Sequence, residues 1–261
     1  ARMLRAFARM APDAAGASAP DADSPQECSE ITAHVFRSAR FDTNCHIPAY
    51  RAWLDGDRAA HAPAYRFHKR FLRHLSKPEA AGRRWLLNCP EHVYALNALR
   101  EAYPDARIVF VHRDPVPSLP KVARATAALR RPFSANIDPI EIARQERNRW
   151  LDGAERMIAA ADAEPFAEPI CHVHYLDLLS DPRATVEGVY RHFGMELPGA
   201  AGQAIDGLRV RRRTDAPTFR EFGLNEARER EAFQRYATRF GIASEGAQLP
   251  FAAAPRERVT A

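Results

Sequence analysis

The sequence predicts an α/β fold, a parallel sheet with helices on both faces and a large helical content. Three observations carry this. Two short apolar runs, Trp85-Leu86-Leu87 and Ile108-Val109-Phe110-Val111, are continuous rather than alternating, as in strands buried on both faces. Each run ends in polar residues beside a proline that can start a helix: Asn88-Cys89-Pro90-Glu91-His92 and His112-Arg113-Asp114-Pro115. Apolar residues at helical spacing fill most of the remaining chain, and a helix between two such strands makes them parallel through a right-handed crossover.

In chain order, residues 12–25 are rich in Ala, Pro, Asp, Ser and Gly and too poor in bulky apolar side chains to pack. Residues 1–26 are therefore expected to be a flexible segment, 27–248 an α/β domain and 249–261 a frayed tail. A helical block precedes the first strand, carried by Ile31, Val35 and Phe36, by Tyr50, Trp53 and Leu54, and by Tyr65, Phe67, Phe71, Leu72 and Leu75. After the strand, Pro90 and Glu91 suit a first helical turn, with Val93, Leu96, Leu99 and Tyr103 as the buried stripe. Pro115 opens a helix to residue 131 with Val122, Ala125 and Leu129 on one face. Asp138-Pro139-Ile140-Glu141 joins an N-cap, an N1 proline and a third-position glutamate, so a long helix starts there. Residues 170–175 form a third strand candidate. Asp181-Pro182 begins another helix that Gly194 ends, and residues 225–240 make a last one with Phe233, Tyr236 and Phe240 inside and Gly241 as its stop.

Composition narrows the function without choosing it. A chain of 261 residues, 46% hydrophobic, supports one α/β domain, and a net charge of +5 suits an anionic ligand, an acidic surface or nucleic acid. Cys28, Cys45, Cys89 and Cys171 are widely spread and form no Cys-x-x-Cys pair, which argues against a zinc ribbon or a disulfide framework and fits a reduced, cytoplasmic setting. No His/Cys/carboxylate cluster calls for a metal. No apolar run approaches the roughly 18 residues of a membrane span, and residues 1–10 carry scattered arginines instead of a signal peptide's apolar stretch. Position 1 is alanine, the expectation being a chain processed or cut from something longer.

Open α/β sheets bind ligands at the carboxyl ends of their strands. Asn88 and His92 leave the first strand there, and His112, Arg113 and Asp114 leave the second, a set suited to a phosphate-like anion beside a proton acceptor. Each residue also has a plainer reading. His92 also reads as a locally bonded first-turn residue, Arg113 as a strand-end ion pair with Asp114 or Glu91, Ser118 as a hydroxyl bonded back to a carbonyl, and Tyr175 as a core aromatic.

Trp85-Leu86-Leu87-Asn88-Cys89-Pro90-Glu91-His92, Tyr103-Pro104-Asp105-Ala106-Arg107-Ile108-Val109, His112-Arg113-Asp114-Pro115, and Tyr175 to Pro182 ending in Tyr190-Arg191-His192-Phe193-Gly194 resemble the bacterial sulfotransferase family. Phe222-Gly223-Leu224, Tyr236 and Phe240 extend the likeness, whose order and spacing cover about residues 27–242. The resemblance implies a P-loop-NTPase-like fold that moves a sulfuryl group from 3′-phosphoadenosine 5′-phosphosulfate to a hydroxyl or amine of a small-molecule or glycan acceptor. It implies His92 as general base, and Arg113, with the residue eight positions on, as the holder of the donor's 3′-phosphate; Tyr175 would reach the adenine or that phosphate, with Ser118 a minor ligand.

The chain departs from the family pattern in three places. Lys121 stands where the family has a serine, and a lysine binds phosphate as a point charge with less directional geometry. Asn88 stands where the Lys-x-Pro-x-His pattern has lysine, so only a neutral donor is offered to charge developing in the transition state. No strand followed by a Gly/Thr loop precedes residue 27, and the expectation is that the cradle for the 5′-phosphosulfate is lacking. Two other readings stand beside the enzyme: a catalytically impaired sulfotransferase-like nucleotide-binding protein, favoured by Asn88 and the absent loop, and a nucleic-acid-binding module using the Arg209 to Arg213 cluster, which lacks any recognisable reading motif.

Overall fold

A computed structural model describes residue 9 and residues 25–56, 61–76, 84–163, 169–208 and 218–244. Among the described residues from 25 on, the chain runs through α1 (Cys28–Ala33), α2 (Arg40–Asn44), α3 (Pro48–Gly56) and α4 (His61–Leu75). The expected block of helices before the sheet is present. The buried stripe of α4 is Ala64, Tyr65, His68 and Leu72, set at steps of three and four residues. Tyr65 packs with Ala95, Ala98, Leu99 and Ala102, so α4 lies along α5 (Leu96–Ala102).

The sheet among the described residues has two strands, β1 (Val109–His112) and β2 (Cys171–His174), parallel and paired one for one from Val109 opposite Cys171 to His112 opposite His174. Two of the three expected strands are therefore present, including the less apolar one at 170–175. Residues 84–89 do not form a strand: Trp85 is 51% and Leu86 96% exposed, and the backbone carbonyl of Asn88 accepts from the amide of Cys28 at 3.1 Å. An apolar run becomes a strand only through a hydrogen-bonded neighbour, and β1 pairs with β2 instead. β1 alternates between buried Phe110 and His112 and exposed Val109 and Val111, where continuous burial was expected.

The helix expected from Pro90 is a 3-10 turn, Pro90–Ala95, followed by α5; a 3-10 turn, Val116–Ser118, likewise precedes α6 (Leu119–Arg130). The buried face of α6 is Leu119, Ala123, Thr126, Ala127 and Arg130, one step round from the expected Val122, Ala125 and Leu129. Small residues on that side let α6 lie close against α7 (Pro139–Asp162), so packing distance rather than side-chain bulk selects the face. Asp138 caps α7 as its sequence requires, accepting from the amides of Ile140 at 2.9 Å and Glu141 at 3.2 Å.

Beyond β2 come α8 (Tyr175–Ser180), α9 (Pro182–His192), α10 (Gly199–Asp206), a 3-10 turn at Arg220–Phe222, α11 (Glu226–Ala232) and α12 (Gln234–Phe240). Asp181 caps α9 through the amide of Ala184, and Gly194 follows its end with φ 61°. The single helix expected over 225–240 is divided at Phe233, whose φ of −94° and ψ of 5° let Phe233, Tyr236 and Phe240 reach one core with Val116, Leu119, Ala154 and Ile158. The Arg209 to Arg213 cluster, most of the segment before residue 27 and the tail lie outside the described residues. All four cysteines are free thiols. No helix among the described residues is long and apolar enough to cross a membrane.

Candidate active site

The one-for-one register decides what meets at the carboxyl edge. His112 lies opposite His174, so the next residues, Arg113 and Tyr175, leave adjacent strands side by side. The Arg113 guanidinium carbon stands 4.2 Å from the centre of the Tyr175 ring. That is a cation-π contact, and it orients a planar five-donor fork. Asp114 next to it caps the 3-10 turn through the amide of Val116 at 3.0 Å and meets Arg230 at 3.3 Å. Ser118 is buried and its hydroxyl donates to the Asp114 carbonyl at 3.3 Å, the backward bond that its position one turn on permits. Lys121, third residue of α6, is half-buried.

A relay of hydrogen bonds supports this edge from beneath. His112, 1% exposed, shares Nδ1 with the Tyr236 hydroxyl at 2.8 Å and Nε2 with His172 Nδ1 at 2.8 Å, while Phe240 stacks on its ring at 4.2 Å. The Tyr236 hydroxyl also takes the backbone amide of Arg113, so the relay fixes the main chain of the arginine. Burial, with His172 and His174 adding to it, pushes the His112 pKa down to about 3. His112 and His172 aim nitrogens at each other, the His174 ring centre lies 5.8 Å from that of His112, and no group of three ligands able to hold a metal ion is present among the described residues.

His92 belongs to a second cluster, in the 3-10 turn that Pro90 begins. Its Nδ1 lies 2.6 Å from the Tyr65 hydroxyl, and its Nε2 is buried without a hydrogen-bond partner among the described residues. Burial, and then His68, lower its pKa to about 4, so the imidazole is neutral near pH 7 and has a lone pair to accept a proton. It helps line a small cavity whose walls also include Arg37, Arg51, Glu91 and Tyr94. Glu91 accepts from the amide of Ala39 at 3.0 Å and does not serve Arg113 there. Arg113, Ser118, Lys121 and Tyr175 are not part of that wall. Asn88 is exposed at the entry to the turn.

The sulfotransferase family model matches residues 2–199. The chain belongs to the sulfotransferase family. Its fold is similar to that of sulfotransferase STF1 from Mycobacterium tuberculosis H37Rv, with a TM-score of 0.74 at 27% identity over 89% of this chain and 61% of that one. It is likewise similar in fold to sulfotransferase STF9 from Mycobacterium avium, with a TM-score of 0.75 at 22% identity over 92% of this chain and 64% of that one. The chain thus spans less than two thirds of the length of either solved sulfotransferase. No curated protein matches it.

Within the family frame, the sequence singled out Arg113, Tyr175 and His92, and the structure joins the first two. The sequence placed His112 at the strand exit but did not single out Tyr65, His68, His172 or Tyr236 as parts of these clusters. The missed signal was polar rings at core positions: Tyr65 and His68 are three residues apart on the buried stripe of α4, and a hydroxyl or imidazole placed there needs a partner.

Proposed function

We propose that this chain transfers a sulfuryl group from 3′-phosphoadenosine 5′-phosphosulfate to an acceptor hydroxyl or amine. The observation that carries the proposal is the Arg113–Tyr175 pair at the carboxyl edge, a guanidinium held flat on an aromatic face 4.2 Å away. An oriented guanidinium beside an aromatic ring fits a phosphate attached to a flat base. The donor supplies an activated sulfuryl group with a phosphate leaving group. Arg113 and Lys121 hold the 3′-phosphate, Tyr175 borders the nucleoside, and the buried Ser118 carries the turn that aims them. Nε2 of His92 takes the proton as the acceptor oxygen or nitrogen bonds to sulfur, and the bridging sulfur–oxygen bond breaks with its electron pair leaving on the phosphate. In-line transfer of this kind depends more on placement and charge than on a covalent intermediate.

Asn88 supports a second reading, a nucleotide-binding family member impaired in transfer, because a neutral amide at the turn before His92 offers less to developing negative charge than an ammonium. Calorimetric titration of 3′,5′-adenosine bisphosphate tests what the two readings share. Arg113→Ala should weaken binding by about 10-fold or more, as expected for a charge-assisted bond worth ~1.5–3 kcal/mol. Equal affinity in the variant removes Arg113 from the site. Incubation with the sulfuryl donor then separates the readings: release of the bisphosphate that His92→Ala abolishes supports transfer, whereas binding without release supports the impaired protein.

A further inference from the structure

A histidine has two ring nitrogens, and the partner of one decides what the other can do. In His92 the division is unequal: Nδ1 is 2.6 Å from the Tyr65 hydroxyl, and Nε2 is buried with no partner among the described residues. Unpaired buried nitrogens are disfavoured unless a ligand supplies the missing bond. Tyr65 itself is fixed. It is 4% exposed, rises from the middle of α4, and packs among Ala95, Ala98, Leu99 and Ala102, so its hydroxyl has little freedom to leave His92.

We propose that Tyr65 is the positioning residue of the reaction: its hydroxyl holds His92 by Nδ1 and so makes Nε2 the nitrogen that receives the acceptor's proton. This rests on the sulfuryl-transfer reading above.

The chemistry of a phenol suits the task in a way that a carboxylate would not. A hydroxyl both donates and accepts. When Nε2 carries the ring hydrogen, Tyr65 donates to Nδ1; when the acceptor's O–H or N–H points at Nε2, the hydrogen sits on Nδ1 and Tyr65 accepts it. One contact thus survives both tautomers and the imidazolium formed as the acceptor's proton moves to Nε2. Burial also holds the Tyr65 phenol well above its ordinary pKa, so it remains a neutral hydroxyl. A neutral partner orients the ring without raising its basicity, consistent with a His92 pKa lowered to about 4.

His68 closes the alternatives on the same helix. It is fully buried, its Nδ1 is engaged by the Tyr103 hydroxyl at 2.7 Å, and its ring stands edge-on to His92 with centres 6.5 Å apart. It is placed to keep His92 from turning over, and its own burial keeps it from reaching an acceptor. The ring of Tyr65, tilted at 47° to His92 with centres 5.7 Å apart, bounds the imidazole on another side.

The test uses the full chain and Tyr65→Phe, which keeps the ring and removes the hydroxyl. Nitrogen NMR of histidine-labelled protein, with His92 assigned from the signals lost in His92→Gln, reports which nitrogen bears hydrogen. Release of 3′,5′-adenosine bisphosphate from the sulfuryl donor, with water as the acceptor, reports turnover. In Tyr65→Phe the His92 nitrogen signals should shift as the tautomer balance changes, and kcat should fall by at least about 10-fold with the donor KM within about twofold of wild type. Unchanged His92 signals, or an unchanged kcat in a protein that turns over, would overturn the role of Tyr65. If the wild type releases no bisphosphate while the His92 nitrogens still respond to Tyr65→Phe, the sulfuryl-transfer reading fails and the hold of Tyr65 on Nδ1 stands.

Discussion

His112 shows how much one polar side chain can organise. It takes the phenol of Tyr236 on one nitrogen and the imidazole of His172 on the other, and Tyr236 in turn holds the amide of Arg113. Replacing it by phenylalanine fills much of the space but leaves the Tyr236 hydroxyl and His172 Nδ1 to find other partners. We expect His112→Phe to lower unfolding free energy by ~1–3 kcal/mol, measured by urea titration, and to weaken bisphosphate binding through the loosened backbone of Arg113. At this scale the sequence was legible where a residue's neighbours in the chain define its place. Arg113 directly follows its strand and was placed at the edge by its own motif, whereas Tyr175 was read as the last residue of a strand and ends up just past it. Tyr65 was read only as an apolar ring on a helix, because its partner His92 is 27 residues away and no local spacing connects the two.

Elements were legible when they carry their own end signals. Asp138 and Pro139 start α7 as expected, and the cap bonds are both present. Asp138→Ala should cost ~0.5–2 kcal/mol in thermal or urea unfolding, while Asp138→Asn, which retains an accepting oxygen, should cost less. Gly223, at φ 62°, sits where a Cβ would lie 3.2 Å from the Ile140 side chain near the start of α7. Gly223→Ala is therefore expected to destabilise the chain by about 1–3 kcal/mol, the range for a side chain forced into left-handed backbone. An element whose existence depends on a neighbour was not legible. The run at residues 85–88 has the composition of a buried strand, yet its carbonyl at Asn88 goes to the first turn of α1. The division of the last helical segment at Phe233 is likewise a tertiary result: the break turns three aromatic rings toward the Val116 and Leu119 core.

For the whole molecule, the common feature of the two clusters is buried neutral histidine. Burial lowers His112 to about 3 and His68 and His92 to about 4, from an ordinary value of 6.5. The unfolded chain binds these protons below about 6.5 and the folded chain does not, so stability is full above that pH and falls progressively toward pH 4 to 3. Urea midpoints measured from pH 7.5 to 4.5 should decline with acid, and His112→Phe should show a shallower decline; a flat profile would contradict the neutral assignments. The order of motifs along the chain made the family legible, because the order and spacing of the fragments are properties of the sequence itself. The separation into a His92 cluster and an Arg113 cluster was not, since it depends on how α4 lies along α5. The pairing of β1 with β2 is four residues long, and its register brings Arg113 opposite Tyr175. A single residue inserted between Cys171 and His174 would bring His174 opposite Arg113 and swap the phenol ring for an imidazole, leaving the overall architecture intact and the guanidinium without its platform.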